Sequence, residues 1–398
     1  MFSLFANKRI YLDYASATPV LPGAIAAMRE AEGLIGNPGA IHSDGVAAKA
    51  ALEKARSVIA EELACKSREV VFTSGLTESN NLAILGVARA LEHGGRIAGS
   101  HWIVSSIEHD AVLESFAEVE RLGGTVTHIH PDKKGIITAD AIAHAVRPET
   151  VLVSIGWANN EIGVVQPLRA ISRAVREKTP STLIHSDAGQ GPLYISPQVH
   201  TLGVDLFSLG SNKLYGPHGV GALYISNAAH MAAILHGGKQ ERGLRPGTEN
   251  VALATGFAAA VKAISAKRDT EKHRLEKMRN DFVHEVQILI PDAVINGHSD
   301  FVLPHIASIS IPNVDAEYVT LALDKSGFAV STKSACREGE ESESHVVAAL
   351  VADIPSEKWR AQNTIRFSFG RDTSSRDLMK AACAVKKCAD LSRAQKPV

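Results

Sequence analysis

Cysteine is scarce in this chain, with only Cys65, Cys336, Cys383 and Cys388 in 398 residues. So few thiols, with no C-x-x-C pair among them, exclude a disulfide framework and a zinc ribbon and favour a reducing, cytoplasmic setting. Cys65, Cys383 and Cys388 fall in or beside helical stretches, where a free thiol usually serves as a small buried hydrophobe. An excess of either charge is also lacking: 42 Lys and Arg stand against 43 Asp and Glu, for a formal net charge of -1. That balance argues against a nucleic-acid groove or a polybasic membrane anchor and points to a small-molecule ligand. No apolar run is long enough to span a bilayer, and residues 1–10 lack the apolar centre of a signal peptide. There is no internal repeat and no low-complexity linker, so neither a membrane nor a nucleic-acid partner is expected.

The length exceeds the usual size of one compact core, so a large domain with a smaller one is expected. Residues 46–63 place Leu52, Ala55, Ile59 and Leu63 on one helical face, and a β-branched run at 70–73 follows. Apolar runs then recur at 102–107, 125–129, 151–155, 182–185 and 205–209, separated by helix-like stretches such as 111–121 and 168–178. This alternation predicts an α/β fold with a large, mostly parallel-sheet domain. After Gly247 the texture changes to one long helical segment over 251–289, followed by short strands at 306–311 and 364–369 and a terminal helix near 378–391. A smaller α+β domain is read from these, giving 16–254 for the large domain and 1–15 with 255–398 for the small one.

In a parallel sheet, ligands bind beyond the carboxyl ends of the strands, and here those junctions hold the chemically interesting residues. The first reads Ser74-Gly75-Leu76-Thr77-Glu78, a small-residue turn into a helix that can offer N–H groups to a phosphate; an ordinary N-cap by Ser74 or Thr77 is the alternative. The next ends in Glu108-His109, where an imidazole can stack on a flat cofactor or move protons. Asn159-Asn160-Glu161 follows the run at 151–155, either to bond a ring substituent or to form an Asx turn. Asp187, with Gln190 nearby, stands at another strand end. A carboxylate there suits the protonated pyridine nitrogen of pyridoxal 5'-phosphate, whose ring then accepts electrons from a substrate carbanion. Lys213, in Gly210-Ser211-Asn212-Lys213, is placed to reach into the same cleft and form an imine. Either residue alone reads as a solvated loop charge; the ordered set does not.

Along nearly its whole length the sequence resembles the cysteine desulfurases, class V members of the fold-type I enzymes that use pyridoxal phosphate. The matching stretches include residues 11–15, 36–38 with His42, 72–75 with 77–79, Glu108-His109, 159–164, Asp187 with Gln190, Lys213, 241–248, 334–336 and 365–368. The resemblance implies Lys213 as the Schiff-base lysine, Asp187 on the pyridinium nitrogen, His109 as stacking residue and proton carrier, and Gln190 as donor to the ring oxygen. Asn160 would lie beside the ring, and Gly75, Leu76 and Thr77 would hold the phosphate with Gly210, Ser211 and Asn212. Thr248 would reach that phosphate from the partner subunit of a homodimer. Arg366, with Asn37 and Asn160, would bind the carboxylate of L-cysteine, and Cys336, on a loop at about 331–345, would be the nucleophile that takes the sulfur as a persulfide. An acceptor such as an iron-sulfur scaffold protein would receive it. A thiol of ordinary pKa is only slightly ionised near neutrality, so Cys336 needs a cation nearby, with Lys333, Arg337 and His109 as candidates.

The chain departs from the family at two places. Where Ser-Gly-His-Lys is usual it has Gly210-Ser211-Asn212-Lys213, so Ser211 is expected to supply the displaced hydroxyl, Asn212 to donate through its amide, and cofactor retention to be weaker than usual. Lys333 replaces a glycine, and an acidic, polar run over 337–344 follows Cys336, either a delivery arm or a solvated loop. A selenocysteine lyase or another carbon-sulfur lyase is the nearest alternative function; a cofactor-binding scaffold with little turnover is the alternative of another class.

Overall fold

The computed structural model describes residues 9–332 and 343–395 of the chain. The strands are β1 (Ile10–Tyr11), β2 (Val70–Thr73), β3 (His101–Ser105), β4 (Thr125–Ile129), β5 (Thr150–Ser154), β6 (Leu183–Asp187), β7 (Leu206–Gly210), β8 (Gly221–Ile225), β9 (Val294–Ile295), β10 (Ile306–Ser310), β11 (Phe328–Ala329) and β12 (Thr364–Ser368). β2 to β8 form one seven-stranded sheet in the order β2-β8-β7-β6-β5-β3-β4. β8 pairs antiparallel with β2 and β7, and all other neighbours in the sheet are parallel. Six strands therefore point the same way, and their carboxyl ends share one edge.

Helices cover both faces, so the inner strands β3, β5, β6 and β7 are buried along almost their whole length. They are α1 (Pro22–Glu32), α2 (Ser43–Leu63), α3 (Leu76–His93), α4 (Asp110–Arg121), α5 (Ala139–Ala145), α6 (Leu168–Lys178), α7 (Val199–Leu202), α8 (Val251–Ser265), α9 (Arg268–Leu289), α10 (Ala316–Lys325), α11 (His345–Leu350) and α12 (Ser375–Gln395). Successive residues of each strand alternate between two cores. Val71, Trp102, Val104, Leu152 and Leu223 pack with Leu82, Val87 and Phe116 of α3 and α4. Phe72, Ile103, Val153, Ile184 and Phe207 face the other way, onto Leu52, Ile59, Ile171 and Phe257 from α2, α6 and α8. One polar ladder crosses the inside: His185 bonds Ser154 Oγ at 2.7 Å and Ser208 Oγ at 3.0 Å. Complete burial lowers its pKa to about 3, so the ring stays neutral.

β2 lies at the sheet edge, where an unpaired strand would expose its amides. Arg56 of α2 and Glu241 close that edge. They form a buried two-pronged pair at 2.7 Å for each bond, while Arg56 donates to Val70 O and Glu241 accepts from Phe72 N.

The expected single helix over 251–289 is two helices. α8 packs on α1 and α2, whereas α9 packs on α12, and a straight rod cannot do both, so the chain breaks at Ala266-Lys267. β12, β10 and β9 form an antiparallel sheet, and β11 pairs in parallel with β1, which draws the start of the chain into the C-terminal layer. Past β1, Asp13 bridges to Ser368 of β12, and Ser331 bridges to Arg366 of the same strand. β8 is absent from the sequence-based expectations. Its run at 221–225 directly follows the lysine turn with no helix between, so the α/β alternation gives no cue to it.

Candidate active site

The carboxyl ends of β2, β3, β5, β6 and β7 surround a cavity of about 420 Å³, within the usual range for a small-molecule site. Gly75, Leu76, Thr77, His109, Asn160, Asp187, Gln190, Asn212, Lys213 and Arg366 all line it, so the structure unites most of the residues singled out from sequence.

The wall at the end of β2 is the start of α3. Its first N–H groups have no acceptor within the helix and point outward, and a Cβ on Gly75 would meet no atom within 4 Å. Ser74 N donates to Glu78 Oε2 at 2.7 Å, and Arg245 Nε donates to the other oxygen at 3.0 Å. Burial acts to raise the Glu78 pKa, but the bonds from Ser74 and Arg245 outweigh it and leave this carboxyl below its ordinary range.

Asp187 ends β6 with both oxygens oriented. Asn80 Nδ2 donates to Oδ2 at 2.6 Å, and Gly189 N donates to Oδ1 at 2.8 Å. Lys213 follows β7 on a short turn tied down by Thr18, whose N–H and hydroxyl donate to Asn212 O at 3.0 and 2.9 Å. From there Lys213 Nζ reaches across to Ala15 O at 2.9 Å and Ser16 O at 2.7 Å. Gln190 Nε2 donates to the same Ala15 carbonyl at 2.9 Å, while its Oε1 lies 3.3 Å from His305 Nε2. Burial lowers the His305 pKa to about 3, with Arg366 adding to the effect, so that ring is neutral and donates to Gln190.

His109 caps α4, with Nδ1 accepting from Ala111 N at 3.0 Å, which leaves the proton of a neutral ring on Nε2. Asn159 makes the Asx turn, accepting from Glu161 N at 2.9 Å and Ile162 N at 3.0 Å, and it lines the cavity together with Asn160. Arg366, 2% exposed, donates from Nη1 to Asn160 O at 3.0 Å and from Nη2 to Asp13 Oδ1 and Ser16 Oγ, both at 2.7 Å. Its Nε is buried and has no partner among the described residues.

Neither Ser211 nor Gly210, both expected at the phosphate, is among the residues that line the cavity. Ser211 is fully buried, its Oγ has no partner, and a Cβ on Gly216 would lie 2.2 Å from that oxygen. The hydroxyl thus sits under the Gly216 backbone and cannot replace a donor in the cavity. Gly210 is not a lining residue either, because Leu76 stands in front of it: a Cβ at 210 would be 2.9 Å from Leu76 Cβ. Asn37 and Thr248 are exposed and stand outside the lining. Cys336, Lys333 and Arg337 lie outside the described residues.

Several residues gain roles that sequence reasoning did not assign. Asn80, Asp13 and Ser16 act by orienting the charged groups, and His218 joins the lining beside Gly219. Asp13 lies within the matching stretch 11–15 and Ser16 directly after it, but nothing local in that stretch gave either a role. Glu108 is the clearest omission. Its buried carboxyl lies against Gly156, whose N–H donates to Oε1 at 2.8 Å. Desolvation, offset in part by that bond and reinforced by Asp187, raises its pKa to about 8.

A mostly parallel sheet brings a lysine, a carboxylate and an open helix terminus together at its carboxyl edge, an arrangement suited to an enzyme site for a small molecule. Residues 10–380 match the aminotransferase class-V family, and the chain belongs to that family. Within it, the chain is 40% identical over 373 residues to the cysteine desulfurase IscS of Dictyoglomus turgidum, covering 94% of this chain and 92% of that protein. It is 37% identical to the cysteine desulfurase IscS of Pseudomonas syringae, with 98% and 95% covered. Among solved structures, a NifS-like protein superposes with a TM-score of 0.88 at 31% identity, covering 96% of this chain and all 100% of that one. SspA in complex with cysteine gives 0.77 at 33% identity, covering 90% and 98%.

The buried Glu108 gives a pH prediction. Its pKa rises on folding from the usual 4.5 to about 8, so its contribution to stability is full below 4.5 and is lost as pH rises through 8. Glu108→Gln should therefore flatten the fall in Tm between pH 5 and pH 8, a window worth on the order of 3 kcal/mol. Parallel Tm profiles for the two proteins would contradict this.

Proposed function

We propose that the cavity holds pyridoxal 5'-phosphate on Lys213 and that the protein removes sulfur from L-cysteine, giving L-alanine and a persulfide on Cys336. The observation that carries this reading is the convergence of Lys213, Asp187 and the start of α3 on one cavity of about 420 Å³. The cofactor fits these residues. The open N–H groups at the start of α3, with space in front of Gly75, suit a phosphate, and the oriented Asp187 suits a protonated ring nitrogen. When bound, the cofactor supplies an electron sink for a carbanion at the substrate Cα.

The chain's own groups divide the remaining work. Arg366, whose side chain stands at the cavity wall, binds the substrate carboxylate, for which a guanidinium is well shaped. Lys213 Nζ, or His109, takes the proton from Cα. The Cys336 thiolate attacks the substrate sulfur, forming the S–S bond as the C–S bond breaks. The electron pair stays with the carbon skeleton, which is protonated and leaves as alanine. Asn160 lines the wall between Arg366 and the cavity, and Gln190 keeps a second amide hydrogen available beyond the one given to Ala15.

A homodimer is part of this reading. Thr248 is exposed, and Ile35 and Ile41, flanking Asn37, are 88% and 98% exposed, as side chains awaiting a partner surface would be. Thr248 would then reach the partner's phosphate, and the sulfur would pass to an acceptor such as an iron-sulfur scaffold protein in the cytoplasm. Among the described residues no helix is long and apolar enough to cross a membrane.

The test is to incubate the protein with pyridoxal phosphate and L-cysteine, follow alanine, and map the persulfide by mass spectrometry. Alanine with a persulfide on Cys336, both lost in Cys336→Ala, is the expected result. Pyruvate and ammonia as main products would instead establish a β-eliminating lyase, and cofactor binding without turnover a scaffold. The blocked position 210 gives a second prediction. Gly210→Ser should lower Tm without tightening the cofactor, because Leu76 occupies the space its side chain needs. In the Leu76→Gly background, which removes the obstructing Cβ, the same change should lower the cofactor Kd by ~10-fold, as one added phosphate hydrogen bond would. Tighter binding with unchanged Tm in the single variant would contradict the blockage.

A further inference from the structure

Arg366 is almost wholly buried, and a buried guanidinium needs a counter-charge whether or not substrate is present. That charge comes from Asp13, in the turn that follows β1. Asp13 Oδ1 accepts from Arg366 Nη2 and also from Ser16 Oγ, at 2.7 and 2.9 Å, and Ser16 Oγ in turn accepts from the same Nη2. With Asn160 O on Nη1, both ends of the guanidinium are fixed where Arg366 lines the cavity. The backbone of this same turn holds the other reactive group, through the Ala15 and Ser16 carbonyls that accept from Lys213 Nζ. Tyr11 OH braces it by donating to Asp13 O at 2.9 Å and Ala17 O at 3.0 Å.

We propose that Asp13 is a positioning residue for substrate recognition: by gripping Nη2 it holds the Arg366 guanidinium at the cavity wall for the carboxylate of an α-amino acid, at a spacing from Lys213 that the turn over residues 13–16 sets. This rests on the reading of Arg366 as the carboxylate site. Without Asp13 the four-torsion arginine side chain loses its orientation, so ligand binding must supply the order that the turn now supplies in advance. Because Asp13 works through Arg366 and not on the bond-breaking atoms, its loss belongs in KM.

The experiment compares L-cysteine KM and kcat, with Tm as a control for folding, in the cofactor-loaded wild type, Asp13→Asn, Asp13→Glu, Arg366→Ala and the Asp13→Asn/Arg366→Ala double variant. Asp13→Asn should raise KM by ~10- to 100-fold, the loss expected for a charge-assisted hydrogen bond, and leave kcat within about threefold. Asp13→Glu should recover part of that loss, and the double variant should be no worse than Arg366→Ala alone, since Asp13 acts only through Arg366. A raised KM in Arg366→Ala with KM unchanged or lowered in Asp13→Asn would overturn the proposal and leave the carboxylate site standing. Unchanged KM in Arg366→Ala would remove the carboxylate site itself, and the proposal with it. If Asp13→Asn does not fold, Asp13→Glu, which keeps the charge but displaces the oxygen that holds Nη2, carries the test with a raised KM at near-wild-type kcat; a normal KM there would overturn the proposal.

Discussion

Six of the seven strands in the large sheet run in one direction, and that constraint delivers every strand-to-helix junction to a single edge. The residues at those junctions are far apart in sequence, yet they can only meet there. Thr73 to Thr77, Glu108 and His109, Asn160, Asp187 and Lys213 are neighbours because the strands before them are in register and buried on both faces. The cavity is thus a consequence of the sheet, with no separate binding module. The C-terminal layer adds Arg366 from β12, and the segment after β1 closes the remaining side.

Electrostatics is managed by burial and by short oriented contacts. His185 and His305 are kept neutral deep in the fold, and Glu108 is held protonated near neutrality beside Asp187. One carboxylate, Asp187, therefore carries the charge at that end of the cavity, with two donors fixing it. At the other end Asp13 balances Arg366. Glu78, at the start of α3, is paired with Arg245, which offsets a negative charge that would otherwise oppose a phosphate there.

Much of this was legible in the sequence because the strands are short continuous apolar runs and the polar residues stand directly after them. The helix at 168–178 and the strands at 70–73 and 125–129 match to the residue. What was not legible had no local signature. The break at Ala266-Lys267 depends on which distant helices α8 and α9 meet, and the antiparallel β8 arrives without the helix that announces a parallel strand. Ser211 shows the limit most clearly. A hydroxyl one position away from the usual one looks like a substitute, but Ser211 opens the 3-10 turn that follows β7, and its hydroxyl is buried against Gly216. Leu76, adjacent in space to Gly210 and not in sequence, could be linked to that glycine only through the structure.

The central claim is that Lys213 carries the cofactor, and its most direct measurement is chemical. The protein loaded with pyridoxal phosphate is reduced with borohydride, digested, and the phosphopyridoxyl group located by peptide mass spectrometry. The group on Lys213, and its disappearance in Lys213→Ala, is the predicted result. The group on another lysine, or no covalent attachment in a protein that still desulfurates cysteine, would contradict the account.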